Sequence, residues 1–320
     1  MRYSFLLLVL LLVGCGTPSP VGAQDYDQRF DAIQLLEDVK LLSADAWTGR
    51  RAGTEGNAQA RTFLLERYAA LGLTPFGEGY AMPFSFTPRG GGDEVDGINL
   101  IGYVEGTATP DTFIVVTAHF DHLGERNGQI YNGADDNASG TAALLAMASY
   151  FVAHPPAHSI VFAALDAEEM GLQGARHFVA NPPMVQAQIA LNINMDMVSR
   201  STKNELYAVG TYYAPYLKPY LEAVGESALL DLLFGHDSPE WTGSDNWTMA
   251  SDHGPFHVEG IPFIYFGVED HPGYHQPNDV YAEITPGFYI NAVDVMLSAI
   301  QAFDANLSDI QAARRAMPKE

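Results

Sequence analysis

The sequence predicts an α/β protein built on a mainly parallel sheet that is covered on both faces. From Ile98 onward, apolar segments of strand length alternate with segments of helical period. The strand segments 112–118 and 159–165 are continuously apolar rather than alternating, as expected when both faces are buried. Apolar residues make up 47% of the 320 residues, enough for a sizeable core. No repeat or later change of composition divides the chain. One domain over 27–315 is therefore expected, with a short tail at 316–320.

Residues 1–14 read as an export signal. Arg2 supplies a positive start, and Phe5 to Val13 is an apolar run too short to span a bilayer comfortably. Leu12-Val13-Gly14-Cys15 resembles the lipobox of bacterial lipoproteins. That resemblance implies a lipid anchor on Cys15 and a location outside the cytoplasm, in the bacterial envelope. Cys15 is the only cysteine, which excludes a disulfide within the chain. A plain secretory signal cut after Val21-Gly22-Ala23 is the other reading. Residues 15–26 read as a tether. Acidic residues outnumber basic ones by 39 to 16. That balance argues against nucleic acid as a partner and favours cations, including metal ions and free amino termini.

The elements follow in order. Phe30 to Ser43 has helical spacing through Ile33, Leu36, Val39 and Leu41. Thr54 caps a second helix that stops at Gly72, with Ala60, Phe63, Leu64 and Ala70 on its core face. Residues 74–86 read as extended and 89–93 as a hairpin turn. Strands are expected at 98–104, 112–118, 159–165, 187–195, 205–209, 229–234 and 261–266. Helices are expected at 139–153, 172–180 and 216–227, the last interrupted at Pro219. Residues 235–260 read as one long polar loop, and loops of that length are usually functional. Thr285-Pro286 opens a helix through Val293, Leu297 and Ile300.

In open α/β sheets, ligand sites lie beyond the carboxyl ends of the strands. Buried strands here are followed by His119-Phe120-Asp121-His122, by Asp166-Ala167-Glu168-Glu169, by Asp196, and by Asp270-His271 with Tyr274-His275. The Gly-flanked turn at 132–140 adds Asp135 and Asp136. One such residue is ordinarily a cap, but five placements converging on one edge are not. Imidazole and carboxylate without thiolate suit zinc, manganese or cobalt. The set is large enough for a pair of ions sharing a bridging carboxylate. Adjacent Glu168 and Glu169 suit a division in which one binds metal and the other stays free as general base. Asp121 can accept the second N–H of His119.

The ordered pieces Ala118-His119-Phe120-Asp121-His122-Leu123-Gly124, Gly133-Ala134-Asp135-Asp136-Asn137-Ala138-Ser139-Gly140, Glu168-Glu169-Met170-Gly171-Leu172-Gln173-Gly174-Ala175, Asn194-Met195-Asp196-Met197 and His275-Gln276-Pro277-Asn278-Asp279 resemble the di-zinc exopeptidase family that includes the secreted bacterial leucyl aminopeptidases. The resemblance implies a three-layer α/β/α sandwich around a mixed sheet. It implies a zinc-dependent aminopeptidase acting on peptides with a free N-terminus. His119 and Asp196 would bind one ion, Glu169 and His275 the other, and Asp136 would bridge them. Glu168 would be the general base, Asp121 the partner of His119, and Asp135 a support for the turn. Carboxypeptidase, dipeptidase or glutaminyl cyclase chemistry on the same scaffold is the alternative, and a non-catalytic ligand-binding lipoprotein is another.

The sequence departs from some family members. No Tyr precedes Ser251-Asp252-His253, which leaves the oxyanion to the ions or to a residue such as Tyr265. Arg200 is expected either to reach a substrate carbonyl or to form a surface salt bridge. His122 reads as structural. His154, His158, His177, His236 and His257 read as unconnected, and Trp241 and Trp247 as cleft lining or loop anchors.

Overall fold

The computed structural model describes residues 29–88 and 90–317. The export signal at 1–14, the tether at 15–26 and the last tail residues, 318–320, lie outside them. In chain order the strands are β1 (Thr74–Pro75), β2 (Ala81–Phe86), β3 (Val95–Val104), β4 (Thr109–His119), β5 (Gly124–Arg126), β6 (Gln129–Tyr131), β7 (His158–Leu165), β8 (Ile189–Met195), β9 (Glu205–Val209), β10 (Asp231–Phe234) and β11 (Phe263–Gly267). The helices are α1 (Ala32–Leu42), α2 (Glu55–Leu71), α3 (Gly140–Ala153), α4 (Gln173–Ala180), α5 (Lys218–Gly225), α6 (His253–Val258), α7 (Pro286–Ala305) and α8 (Leu307–Ala316). No helix among the described residues is long and apolar enough to cross a membrane.

Nine strands form one sheet in the order β1-β3-β7-β4-β8-β11-β9-β10, with β2 also pairing with β3. Strands β7, β4, β8 and β11 lie side by side and parallel. The flanks reverse direction, because β3 runs antiparallel to β7 and β9 antiparallel to β11. The sheet is therefore mixed, with its parallel part in the middle. Strands β5 and β6 form a small separate hairpin.

Side chains leave each central strand alternately toward two layers. Ile114, Val116 and Ala118 of β4 join Leu35, Val39, Ala60, Leu64, Leu144 and Ile300 in the larger core under α1, α2, α3 and α7. Phe113 and Val115 of β4 join Phe178 of α4 and Phe256 of α6 on the opposite face. That division makes the α/β/α sandwich. Helix α3 is buried from Gly140 through Ala148, which explains its apolar residues on every side.

Several local expectations are corrected. Ile33 and Leu41 are exposed; α1 buries Val39 as expected, but with Leu35 and Leu42 beside it. Ala70 faces solvent, because the buried stripe of α2 continues from Leu64 to Tyr68, four residues on. The Tyr68 hydroxyl then donates to the Phe162 carbonyl oxygen at 3.2 Å. Pro219 does not interrupt α5. It lies in the first turn, where its missing N–H has no intrahelical partner to lose. The loop at 235–260 contains α6. Thr285 makes no capping bond with its side chain, and Pro286 starts α7 without one.

Gly56 shows packing overruling propensity. It sits in the first turn of α2, where alanine would ordinarily favour the helix by about 1 kcal/mol. A Cβ there would lie 1.9 Å from the Trp47 carbonyl oxygen. Gly56→Ala is therefore expected to destabilise the fold by about 1–3 kcal/mol, read as a lower urea midpoint.

Candidate metal centre

The four parallel strands end at one edge, and each hands a side chain to the same space. His119 is the last residue of β4, Glu168 and Glu169 follow β7, Asp196 follows β8, and His275 stands in the loop after β11. Asp136 comes from the turn between β6 and α3. There Gly133 has φ 57°, and a Cβ would meet the Asp136 carbonyl oxygen at 2.0 Å and the His122 ring at 2.5 Å. Only a glycine lets that turn close so tightly. Asp279 steadies it from outside, accepting the backbone N–H groups of Asp135 and Asp136.

The polar atoms form two groups that share Asp136. His119 Nε2 lies 3.2 Å from Asp196 Oδ1 and 3.5 Å from Asp136 Oδ1. His275 Nε2 lies 3.1 Å from Asp136 Oδ2 and 3.4 Å from Glu169 Oε2. Ligands about 2.0–2.1 Å from a tetrahedral zinc ion stand about 3.3 Å from one another. The observed separations fit that spacing twice over, with one Asp136 oxygen facing each group. Glu168 offers an oxygen within 4.8 Å of the ligand atoms of His119 and Asp196. His119 Nε2 and Asp196 Oδ1 are buried without a hydrogen-bond partner. Stranded polar atoms cost about 1–3 kcal/mol each, so atoms converging in this way call for a cation.

Surrounding residues orient these groups. Ser251 Oγ donates to Asp196 Oδ2 at 2.6 Å and accepts from Asn194 Nδ2 at 2.9 Å, which leaves Asp196 Oδ1 to face His119. Asp121 differs from expectation in detail. His119 Nδ1 contacts the Asp121 carbonyl oxygen at 3.1 Å, while the carboxylate stands 3.6 Å away. The carboxylate instead accepts the Glu168 backbone N–H at 3.0 Å, so Asp121 couples the imidazole to the adjacent glutamate. His122 is buried with Nδ1 2.7 Å from Glu169 Oε1, and it belongs to a possible ligand group with Asp136 and Glu169. A purely structural reading of His122 is thereby too narrow. The carboxylate of Asp135 is engaged elsewhere, by Ser199 and His271.

The electrostatics follow from crowding. Desolvation pushes the Glu168 carboxyl well above its usual range, helped by the charges of Glu169, Asp252 and Asp196 and opposed by His119. Asp136 is raised by burial and by Glu169. Burial also acts upward on Glu169, but hydrogen bonds and charge from His122 and His275 hold it below its usual value. Arg50 is a fully buried cation nearby, lowered by burial to about 10 and still protonated at neutral pH. Its guanidinium donates to the carbonyl oxygens of Leu42, Phe120, Asn132 and Gly133. It thus joins the end of β4 to the aspartate turn. Nothing local in the sequence distinguishes Arg50.

A cleft of about 530 Å³ opens on the centre, with Glu168, Leu172, Trp247, Met249, Tyr265 and Tyr274 among its walls. Trp247 stacks on His236 at 3.8 Å, and Trp241 covers the other face of that ring at 4.1 Å. Trp247 is thus both lining and anchor, and Trp241 an anchor. The Tyr265 hydroxyl lies 3.4 Å from the Asp196 carbonyl oxygen. Tyr274 stacks on His275 at 4.0 Å. Arg200 pairs with Glu283 at 3.2 Å and does not line the cleft. His158 pairs with Asp304 at 2.9 Å, away from the centre.

A model of peptidase family M28 matches residues 99–300. Aminopeptidase YwaD of Bacillus subtilis is 31% identical over 202 residues, covering 60% of this chain and 41% of that protein. The chain spans less than half the length of the first curated relatives it matches, 41% and 24%. The aminopeptidase from Aneurinibacillus sp. strain AM-1 shares the fold with a TM-score of 0.69 at 16% identity, over 85% of this chain and 93% of that one. The glutaminyl cyclase of Fimbriiglobus ruber shares it with a TM-score of 0.67 at 19% identity, over 90% and 99%.

Chelation is expected to lower the melting temperature, and zinc to restore it. At a hundredfold excess over Kd, each bound ion adds about 2.7 kcal/mol. In the stripped protein, burial pushes Asp252 up to about 8 from the ordinary 3.8. The folded state then binds the extra proton between those values, so stability falls as pH rises through that window. Asp252→Asn should flatten the fall, measured by urea denaturation of chelated protein at the two ends of the window.

Proposed function

The chain belongs to peptidase family M28, and on that premise we propose that it is a di-metal aminopeptidase cleaving the first bond of peptides with a free N-terminus. One observation carries the reading. The two oxygens of Asp136 face two separate imidazole–carboxylate groups, His119 with Asp196 and His275 with Glu169, beside the carboxyl of Glu168. The aminopeptidase named among the relatives supports the same assignment.

Two divalent ions, zinc by family, would supply Lewis acidity toward the scissile carbonyl and the attacking water. His119, Asp196, Asp136, Glu169 and His275 would hold them, with His122 close enough to add a further nitrogen. Glu168 takes the proton of the attacking water and returns it to the leaving amine. Its raised proton affinity suits both halves of that task. Asp121, bonded to the Glu168 backbone, keeps the base in place. Asp270 on the cleft wall attracts the substrate's ammonium group, and Tyr265 and Tyr274 bring hydroxyl donors to the same wall.

Cyclisation of an N-terminal glutamine is the second reading, because a glutaminyl cyclase shares the fold. Two complete ligand groups favour hydrolysis, which uses both ions. We also propose that the protein works outside the cytoplasm, held to the bacterial envelope by lipid on Cys15. That reading rests on the apolar run and lipobox-like residues of the first segment.

Glu168→Gln is expected to keep both ions and lower turnover by about 10²–10⁴-fold. Unchanged turnover would remove the base assignment. Amino-terminal acetylation of a peptide substrate should abolish cleavage, and equal rates on both forms would refute the aminopeptidase reading. Cys15→Ala should move the protein from the membrane fraction to the soluble fraction.

A further inference from the structure

We infer that His271 is a positioning residue that clamps the His275 loop to the aspartate turn and thereby sets the affinity of one of the two ions. The inference rests on the di-metal reading above. His275 is the most exposed of the expected ligands, its side chain 38% accessible against 1% for His119. Its backbone sits at φ 54°, a conformation uncommon for a non-glycine residue. The loop after β11 therefore needs a restraint that His275 itself does not supply.

His271 supplies it. The Gly273 backbone N–H donates to His271 Nδ1 at 3.1 Å, so the ring proton resides on Nε2. Nε2 donates to Asp135 Oδ2 at 3.0 Å. The other oxygen of Asp135 accepts both the backbone N–H and the hydroxyl of Ser199, each at 2.7 Å. Asp135 directly precedes Asp136, and its carboxylate is fully buried. One short path thus runs from the ligand loop to the bridging aspartate. It bypasses His119 and Asp196, whose orientation comes from Asp121 and Ser251. Loosening the clamp should weaken the ion held by Glu169 and His275 and spare the other.

The test counts zinc per chain and measures each affinity by chelator competition on the full-length protein. Gln at position 271 keeps an amide donor that reaches Asp135, whereas the shorter Asn does not. His271→Asn is expected to weaken one ion about tenfold or more and leave the other at wild-type affinity. His271→Gln should remain within about threefold of wild type for both ions, on the same outer-shell scale. Ser199→Ala, which loosens Asp135 on its other side while keeping the backbone donor, should retain both. Equal behaviour of His271→Asn and His271→Gln would overturn the clamp, as would equal weakening of both ions. A wild-type protein that binds fewer than two ions would instead overturn the di-metal reading.

Discussion

The structure turns on negative charge packed into one space. Asp136, Glu168, Glu169 and Asp196 converge at a single sheet edge, with Asp252 buried behind them. Two like charges 4 Å apart repel by about 4 kcal/mol even at an effective dielectric of 20. Proton uptake by Glu168 and Asp252 relieves part of that strain, and the imidazoles of His119, His122 and His275 relieve more. Arg50 adds a permanent charge from below, although its hydrogen bonds go to backbone carbonyls rather than to the acids. The remaining deficit is what two divalent cations would fill, so stability and proposed chemistry draw on the same crowding.

The fold makes that crowding possible by holding its donors on stiff supports. Parallel neighbours β7, β4, β8 and β11 end together, and both faces of the sheet are packed. His119, Glu169 and Asp196 each stand within a few residues of a strand end, where the backbone has little freedom. Asp136 and His275 come from connections instead, and there the structure adds restraints: Gly133 and Asp279 for the turn, and the His271–Asp135 hydrogen bond for the loop. The long connection before β11 contributes the remaining wall, stiffened by the Trp241–His236–Trp247 stack.

Much of this was legible in the sequence because strand ends carry the chemistry. Continuous apolar runs marked the central strands, and the residues after them were the ligands to consider. Helix faces were read less well. Ile33 and Ala70 fit an apolar period but lie on solvent-facing arcs, since a period defines a stripe only when its phase is known. Helix α6 escaped because six residues with a Gly and a Pro carry no helical pattern, and tertiary contact with α4 and β11 holds them.

By itself the sequence determined which residue types were available for the centre, their order along the chain, and a mainly parallel sheet with buried strands. Periodicity and strand-end chemistry are local properties, so they survive without coordinates. Only the tertiary structure decided that the two oxygens of Asp136 face different imidazoles, that Asp121 meets His119 through its carbonyl rather than its carboxylate, and that His122 stands against Glu169. It alone brought in Arg50, which reaches Phe120 across 70 residues, and it joined Ser251 to Asp196 across 55 residues and His271 to Asp135 across 136. Contacts across such separations depend on how strands are ordered and how turns close, and neither is encoded in the spacing of any one segment.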